Sequence, residues 1–162
     1  MNYFELFGIK EAPVADKAVL ARKYFELQKK FHPDFYTNEN EAEQENATMQ
    51  SAEINKAFNI FRNPEKTLEY YLQLKGVITT EEKFHLPPDF LMEMMELNET
   101  FEDNNIADIQ NNIAAFEKKL YDEVKPVLDS ETALQNDDSL QQLKAYFYKK
   151  KYLKRILERL DD

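Results

Sequence analysis

Apolar residues in the first half of the chain recur at helical spacing. Leu20, Tyr24, Leu27 and Phe31 follow one another by four, three and four residues, lining one face over three turns. The pattern predicts a helix from Asp16, a good N-cap, to Phe31, where it stops abruptly at Phe31-His32-Pro33-Asp34. Proline fixes its own φ, donates no backbone N–H and pushes the preceding residue out of the α region. A polar, irregular stretch from Phe35 to Asn40 leads into a second long helix, about Glu41 to Arg62. There Ile54, Ala57, Phe58 and Phe61 stand at 0, 3, 4 and 7, ready to pack antiparallel against the first. Burying about half a dozen such side chains at about 1.5–3 kcal/mol each holds the hairpin together before entropy is subtracted. A short helix from Tyr3 to Phe7 precedes the hairpin, closed by Gly8. Asn63-Pro64-Glu65 reads as N-cap, N1 proline and first-turn acid of a further helix, with Leu68, Tyr71 and Leu72 inside and Gly76 as its stop.

The second half repeats the helical period. Residues 77–88 read as a linker ending in Pro87-Pro88, and patterning resumes at Asp89 with Phe90, Met94, Leu97 and Phe101 as a core stripe. Leu91, Met92, Met95, Glu96, Glu99 and Asp103 occupy a neighbouring face, apolar at one end and acidic at the other. Two readings of that face stand: a helix buried on two sides of a small bundle, or an adaptable protein-binding patch of Met and Leu rimmed by carboxylates. A long helix follows on Ile109, Ile113, Phe116, Leu120, Val124 and Val127, with Pro126 expected to kink or fray its last turn. After a polar loop at 129–139, a final helix starts near Ser139 with Leu140, Leu143, Phe147, Leu157 and Leu160 inward. Three helices with short connections imply an antiparallel three-helix bundle. The fold class is therefore all-α, with units at 1–76 and 89–162 joined by the linker 77–88.

Composition supports this reading. The 162 residues include only two Gly and six Pro, and 43% are apolar, which favours a folded, helical protein. The lack of Cys excludes disulfides, thiolate zinc sites and Cys-ligated clusters. No apolar run is long enough for a signal peptide or a spanning helix, and no basic, acid-poor leader opens the chain, so a cytoplasmic protein is expected. The net charge of −10 is uneven: residues 1–75 carry 10 Lys and Arg against 12 Asp and Glu, and residues 76–162 carry 11 against 19. Such a balance disfavours nucleic acid and anionic membrane as partners and fits selected basic protein surfaces. The local basic run Lys149-Lys150-Lys151 with Lys154-Arg155 reads as an offset to the acidic bundle rather than an RNA site.

Chemistry is sparse. His32 and His85 are the only histidines, and no nucleophile motif, phosphate-cradling loop or metal cluster accompanies them. A non-enzyme without cofactor or metal is expected. His32-Pro33-Asp34 alone is satisfied by a helix stop carrying a side chain–backbone turn bond from Asp34. Arg22, Lys23, Lys29 and Lys30, largely off the apolar face, are by themselves an ordinary solvated surface.

The flanks change the weight of those residues. Tyr3-Phe4-Glu5-Leu6-Phe7-Gly8-Ile9, then His32-Pro33-Asp34, then Ile54-Asn55-Lys56-Ala57-Phe58 followed by Asn63-Pro64 resemble a J domain in content and order. With a bundle containing Phe90-Leu91-Met92-Glu93-x-x-Glu96-Leu97, essentially the whole chain resembles the HscB family, J-type co-chaperones of bacterial iron–sulfur cluster assembly. The resemblance implies that His32, Pro33 and Asp34, with Arg22, Lys23, Lys29 and Lys30, dock on a DnaK/HscA-type ATPase. It also implies that Leu91, Met92, Met95, Glu96, Glu99 and Asp103, joined by Tyr148 or by Phe147, hold an IscU-type scaffold protein. Phe25 and Glu26 interrupt the family's basic run, and Phe35 stands where the residue after the tripeptide is often basic. Eukaryotic relatives add an N-terminal Cys-rich segment, so the bacterial type is expected. The alternatives are a general J protein with a different client, or a helical adaptor or hydrolase in which the tripeptide is only a turn.

Overall fold

The computed structural model of the protein describes residues 1–160, which form seven α-helices and two short 3-10 turns, with no strand among the described residues. The chain divides into two compact units, Met1–Leu74 and Lys75–Asp162. The expected end of the second unit at Asp162 lies outside the described residues.

The first unit comprises α1 (Tyr3–Phe7), α2 (Lys17–Phe31), α3 (Glu41–Phe61) and α4 (Pro64–Leu74). Local chemistry sets the ends. Asn2 Oδ1 accepts from the Glu5 N–H at 2.9 Å while Glu5 Oε2 accepts from the Asn2 N–H at 3.3 Å, a capping box that satisfies two orphan donors of α1. Gly8, at φ 63, closes that helix in the left-handed region. Asp16 caps α2 through the Val19 N–H at 3.0 Å, and Asn63 accepts from the N–H groups of Glu65 and Lys66 ahead of α4.

The core of this unit is aromatic. Phe4 and Phe7, each 2% exposed, pack on Phe61 with ring centroids 4.8 and 5.5 Å away. Tyr70 stacks on Tyr3 at 5.2 Å and its hydroxyl accepts the Tyr3 N–H at 2.9 Å, so one side chain supplies both packing and a bond. Small residues on α3, Ala47, Ser51 and Ala57, are buried and let the α2–α3 hairpin close. Further along, Tyr24 stacks on Phe58 at 4.0 Å, and Asn55 Oδ1 accepts from the Tyr24 hydroxyl at 2.8 Å and from Gln28 Nε2 at 3.0 Å. Of the predicted apolar face of α2, Leu20 is fully buried; Tyr24, Leu27 and Phe31 are half-buried. The short α1 packs on α2 as well as on α3, but five residues cannot cover the length of the hairpin.

The second unit comprises α5 (Pro88–Glu99), α6 (Ile106–Leu128) and α7 (Asp137–Leu160), an antiparallel bundle with a 3-10 turn at Ala133–Gln135 inside the expected loop. Helices α6 and α7 form its main pairing, burying Ile109, Ile113, Leu120, Val124 and Val127 against Leu143, Tyr146, Phe147, Leu153 and Ile156. Helix α5 reaches the pair through Phe90, whose ring lies 5.9 Å from both Phe116 and Tyr152, and through Met94; both are almost fully buried. Two expectations need adjusting. Pro126 does not fray α6, which runs on to Leu128: it sits in the last turn, where the Asp122 carbonyl it leaves without an N–H belongs to an exposed residue. On α7 the inward line is carried by Tyr146, Leu153 and Ile156 beside Leu143 and Phe147, while Leu140, Leu157 and Leu160 are half-buried. The lysines at 149–151 interrupt the apolar count and hide that register.

Residues 77–88 do not hang free of the bundle. Ile78 is 4% exposed, Phe84 stacks on Tyr148 at 4.5 Å and 9°, and Glu82 forms an ion pair with Lys144 on α7.

Candidate functional site

The hairpin tip is built from a short run of the chain. The His32 N–H closes the last turn of α2 on the Gln28 carbonyl at 2.9 Å. Pro33 then starts a 3-10 turn, Pro33–Tyr36, in which the Phe35 N–H donates to the His32 carbonyl at 3.0 Å. His32 Nδ1 accepts the Asp34 N–H at 3.2 Å, and the Tyr36 hydroxyl donates to the Lys30 carbonyl at 2.7 Å. The side chain–backbone bond of this turn therefore comes from His32, not from Asp34 as expected, because His32 occupies the cap position of the 3-10 turn. Two consequences follow. An Nδ1 acting as acceptor leaves Nε2 to carry the proton of the neutral ring. The Asp34 carboxylate is left 86% exposed, its Oδ2 3.6 Å from His32 Nδ1. The tip thus offers a donor and an acceptor on a frame that proline has stiffened.

Behind the tip, Arg22, Lys29 and Lys30 are exposed, whereas Lys23 is half-buried and leans 4.0 Å from Glu26 Oε2. Lys29 Nζ lies over the Phe25 ring at 5.5 Å and Lys30 Nζ over Phe31 at 5.1 Å. Phe25 and Phe35 are themselves 64% and 65% exposed.

On α5 the core side and the outer side separate cleanly. Phe90 and Met94 are 2% and 1% exposed, while Leu91 stands at 40% and Met92 and Met95 at 64%. Glu96, Glu99 and Asp103 are exposed as well. The apolar end of this face is open to solvent, so burial on two sides does not apply to it. Asp103 lies past the end of the helix, on the turn that follows Glu99, where its N–H donates to the Thr100 carbonyl at 3.3 Å. Of the two candidate aromatics on α7, Phe147 is buried and Tyr148 is half-buried.

Tyr148 belongs to a cluster that the pattern of the sequence did not reveal. Its ring carries Phe84, its hydroxyl donates to Glu82 Oε2 at 3.4 Å, and Lys144, one turn earlier on α7, pairs with the same carboxylate and sits 5.8 Å from the Phe84 ring. The hydrogen bond from Lys144 holds the Glu82 carboxyl below its ordinary range. The i, i+4 spacing of Lys144 and Tyr148 was legible, but nothing marked Glu82 and Phe84 as their partners. Among the described residues no group of His, Cys, Asp or Glu is arranged to hold a metal ion, and no helix is long and apolar enough to cross a membrane.

A helical hairpin that ends in a stiffened His-Pro-Asp turn, with exposed cations on the helix behind it, defines a J-domain protein. The DnaJ domain profile matches residues 2–70, and the profile described as the HSCB C-terminal oligomerisation domain matches residues 86–161. The chain belongs to the HscB family of J-domain co-chaperones, which serve iron–sulfur cluster assembly. It is 33% identical to the co-chaperone protein HscB homolog of Shewanella halifaxensis, covering 100% of this chain and 98% of that one. It is also 33% identical to the co-chaperone protein HscB of Proteus mirabilis, covering 100% and 99%. The crystal structure of human co-chaperone protein HscB superposes with a TM-score of 0.80 at 25% identity, over 99% of this chain and 81% of that one. Chaperone HscB from Vibrio cholerae gives 0.62 at 28% identity over 99% of both chains. A J domain of this family implies a DnaK-type chaperone as partner.

Proposed function

We propose that this chain brings an IscU-type iron–sulfur scaffold to an HscA-type ATPase and stimulates that ATPase, itself catalysing nothing. In this reading residues 1–76 dock on the chaperone, residues 89–162 hold the scaffold, and the work is done in the cytoplasm. The observation that carries the first contact is the freedom of Asp34: His32 holds the turn through Nδ1, so the carboxylate is available to a cation on the ATPase. A charge-assisted bond there is short and strong, and Pro33 limits the entropy lost on docking. Arg22, Lys29 and Lys30 add attraction to an acidic surface, with Lys23 a lesser contributor because Glu26 already engages it.

The second contact rests on the open face of α5. Leu91, Met92 and Met95 supply adaptable apolar area, and Glu96, Glu99 and Asp103 supply charge that selects a basic rim. Tyr148, stacked on Phe84, joins the surface on the α7 side. Holding the scaffold on the same chain as the docking turn raises its effective concentration at the chaperone's peptide site.

Steady-state ATPase of an HscA-type chaperone, with and without an IscU-type scaffold, tests both contacts. Strong stimulation that His32→Gln loses, and that needs the scaffold for its full extent, is the expected result. Equal rates with wild type and His32→Gln refute the docking role. Stimulation indifferent to the scaffold, with binding of the bundle to unfolded chains instead, turns the reading to a general J protein with another client.

A further inference from the structure

We infer that the chaperone-docking surface of this protein has an apolar component formed by Phe35 and Phe25, which seats in an apolar hollow of the ATPase beside the site that receives His32-Pro33-Asp34. The inference rests on the docking role proposed for that turn.

Two adjacent aromatics end the turn, and they are put to different uses. Tyr36 is half-buried and spends its hydroxyl on the Lys30 carbonyl, so it belongs to the frame. Phe35 contributes its backbone to the frame, through the His32 carbonyl, and leaves its ring 65% exposed. That ring meets His32 edge-on, with centroids 6.1 Å apart and planes at 70°, so the apolar surface is continuous with the imidazole. Phe25 is equally exposed on α2, and Lys29, which precedes the tip by one turn, lies over its ring. Neither ring is needed by the core, which is closed by Phe4, Phe7 and Phe61. Water-exposed phenylalanines gain only when a partner covers them, and aromatics set among cations are the usual anchors of a protein interface. The partner surface that fits is acidic where it faces Arg22, Lys29 and Lys30 and apolar where it faces Phe35.

Titrating the protein into an HscA-type ATPase from the same cells and reading the half-stimulating concentration tests this. The double variant Phe25→Ala/Phe35→Ala is expected to need about tenfold more protein or beyond, while Met49→Ala, an equally exposed apolar residue on α3, is expected to match wild type. Phe35→Lys is expected to remain impaired and to weaken further with salt, because a charge is screened where an apolar contact is not. The inference is overturned if the double variant behaves as Met49→Ala does, or if Phe35→Lys stimulates as well as wild type. Should His32→Gln stimulate normally, the docking role of the turn falls first. Should His32→Gln be inactive while the double variant is not impaired, only the apolar contact is refuted.

Discussion

Replacing Met92 and Met95 together with alanine removes the most exposed apolar part of α5 without touching its core side, where Phe90 and Met94 sit. Each of the two side chains is 64% exposed in the free protein. Full burial of a methionine stabilises by about 1.5–3 kcal/mol, so each has about 1–2 kcal/mol still to gain when a partner covers it. If this face holds the scaffold, the pair is expected to account for about 2–4 kcal/mol of its affinity, a Kd about 30- to 800-fold weaker in the double variant. Two flexible side chains also lose rotamer freedom on binding, which draws the expectation towards the lower end. Calorimetric titration of an IscU-type scaffold reads the change directly. The free protein is expected to keep its helicity and to shift in stability by no more than about 0.5 kcal/mol, as surface substitutions do. Stimulation of the ATPase in the absence of scaffold is expected to be unchanged. An unchanged Kd in a variant of intact helicity refutes the assignment of this face to scaffold binding.

Other perturbations separate frame from function. Asp34→Asn preserves size and the backbone N–H that binds His32 Nδ1, so far-UV dichroism is expected to be unchanged while ATPase stimulation falls by about tenfold or more; lost helicity shows instead that the carboxylate was structural. Glu82 has its folded pKa lowered by Lys144, so its contribution is present above the ordinary value of 4.5 and is lost as pH falls through the lower folded value. Acidification below 4.5 is thus expected to release the 77–88 segment from α7, read as loss of amide protection and of the Phe84–Tyr148 contact by NMR. Glu82→Gln is expected to weaken the attachment at neutral pH and to remove the acid step; protection indifferent to both refutes the clip.

Much of the fold was legible because it is written in helix periods and in caps that act over three or four residues. Asn63-Pro64, Gly8, Asp16 and Gly76 all stand where a cap or stop was expected. The α5 face was legible as an amphipathic oddity, and its exposure follows from Phe90 and Met94 having claimed the inner side. What escaped is tertiary. Glu82 and Lys144 are 62 residues apart, and no periodicity relates a charge in an irregular segment to one on a helix. The inward register of α7 escaped because lysines 149–151 break the apolar line, and because Tyr146 packs its ring inward despite its hydroxyl. The origin of the turn bond escaped for another reason. Asp is the commoner local acceptor, and only the backbone angles at residue 32, φ −62 and ψ 130, place the imidazole over the next N–H.

Among the described residues, the hydrogen bonds that hold the tip all close between Gln28 and Gln44, the latter through its side-chain amide to the Thr37 and Glu39 carbonyls. Natural selection can therefore treat that stretch as a single heritable cassette. Substitutions on the rest of the hairpin are free to drift, to acquire a phenylalanine in place of a cation for instance, without erasing the turn's geometry.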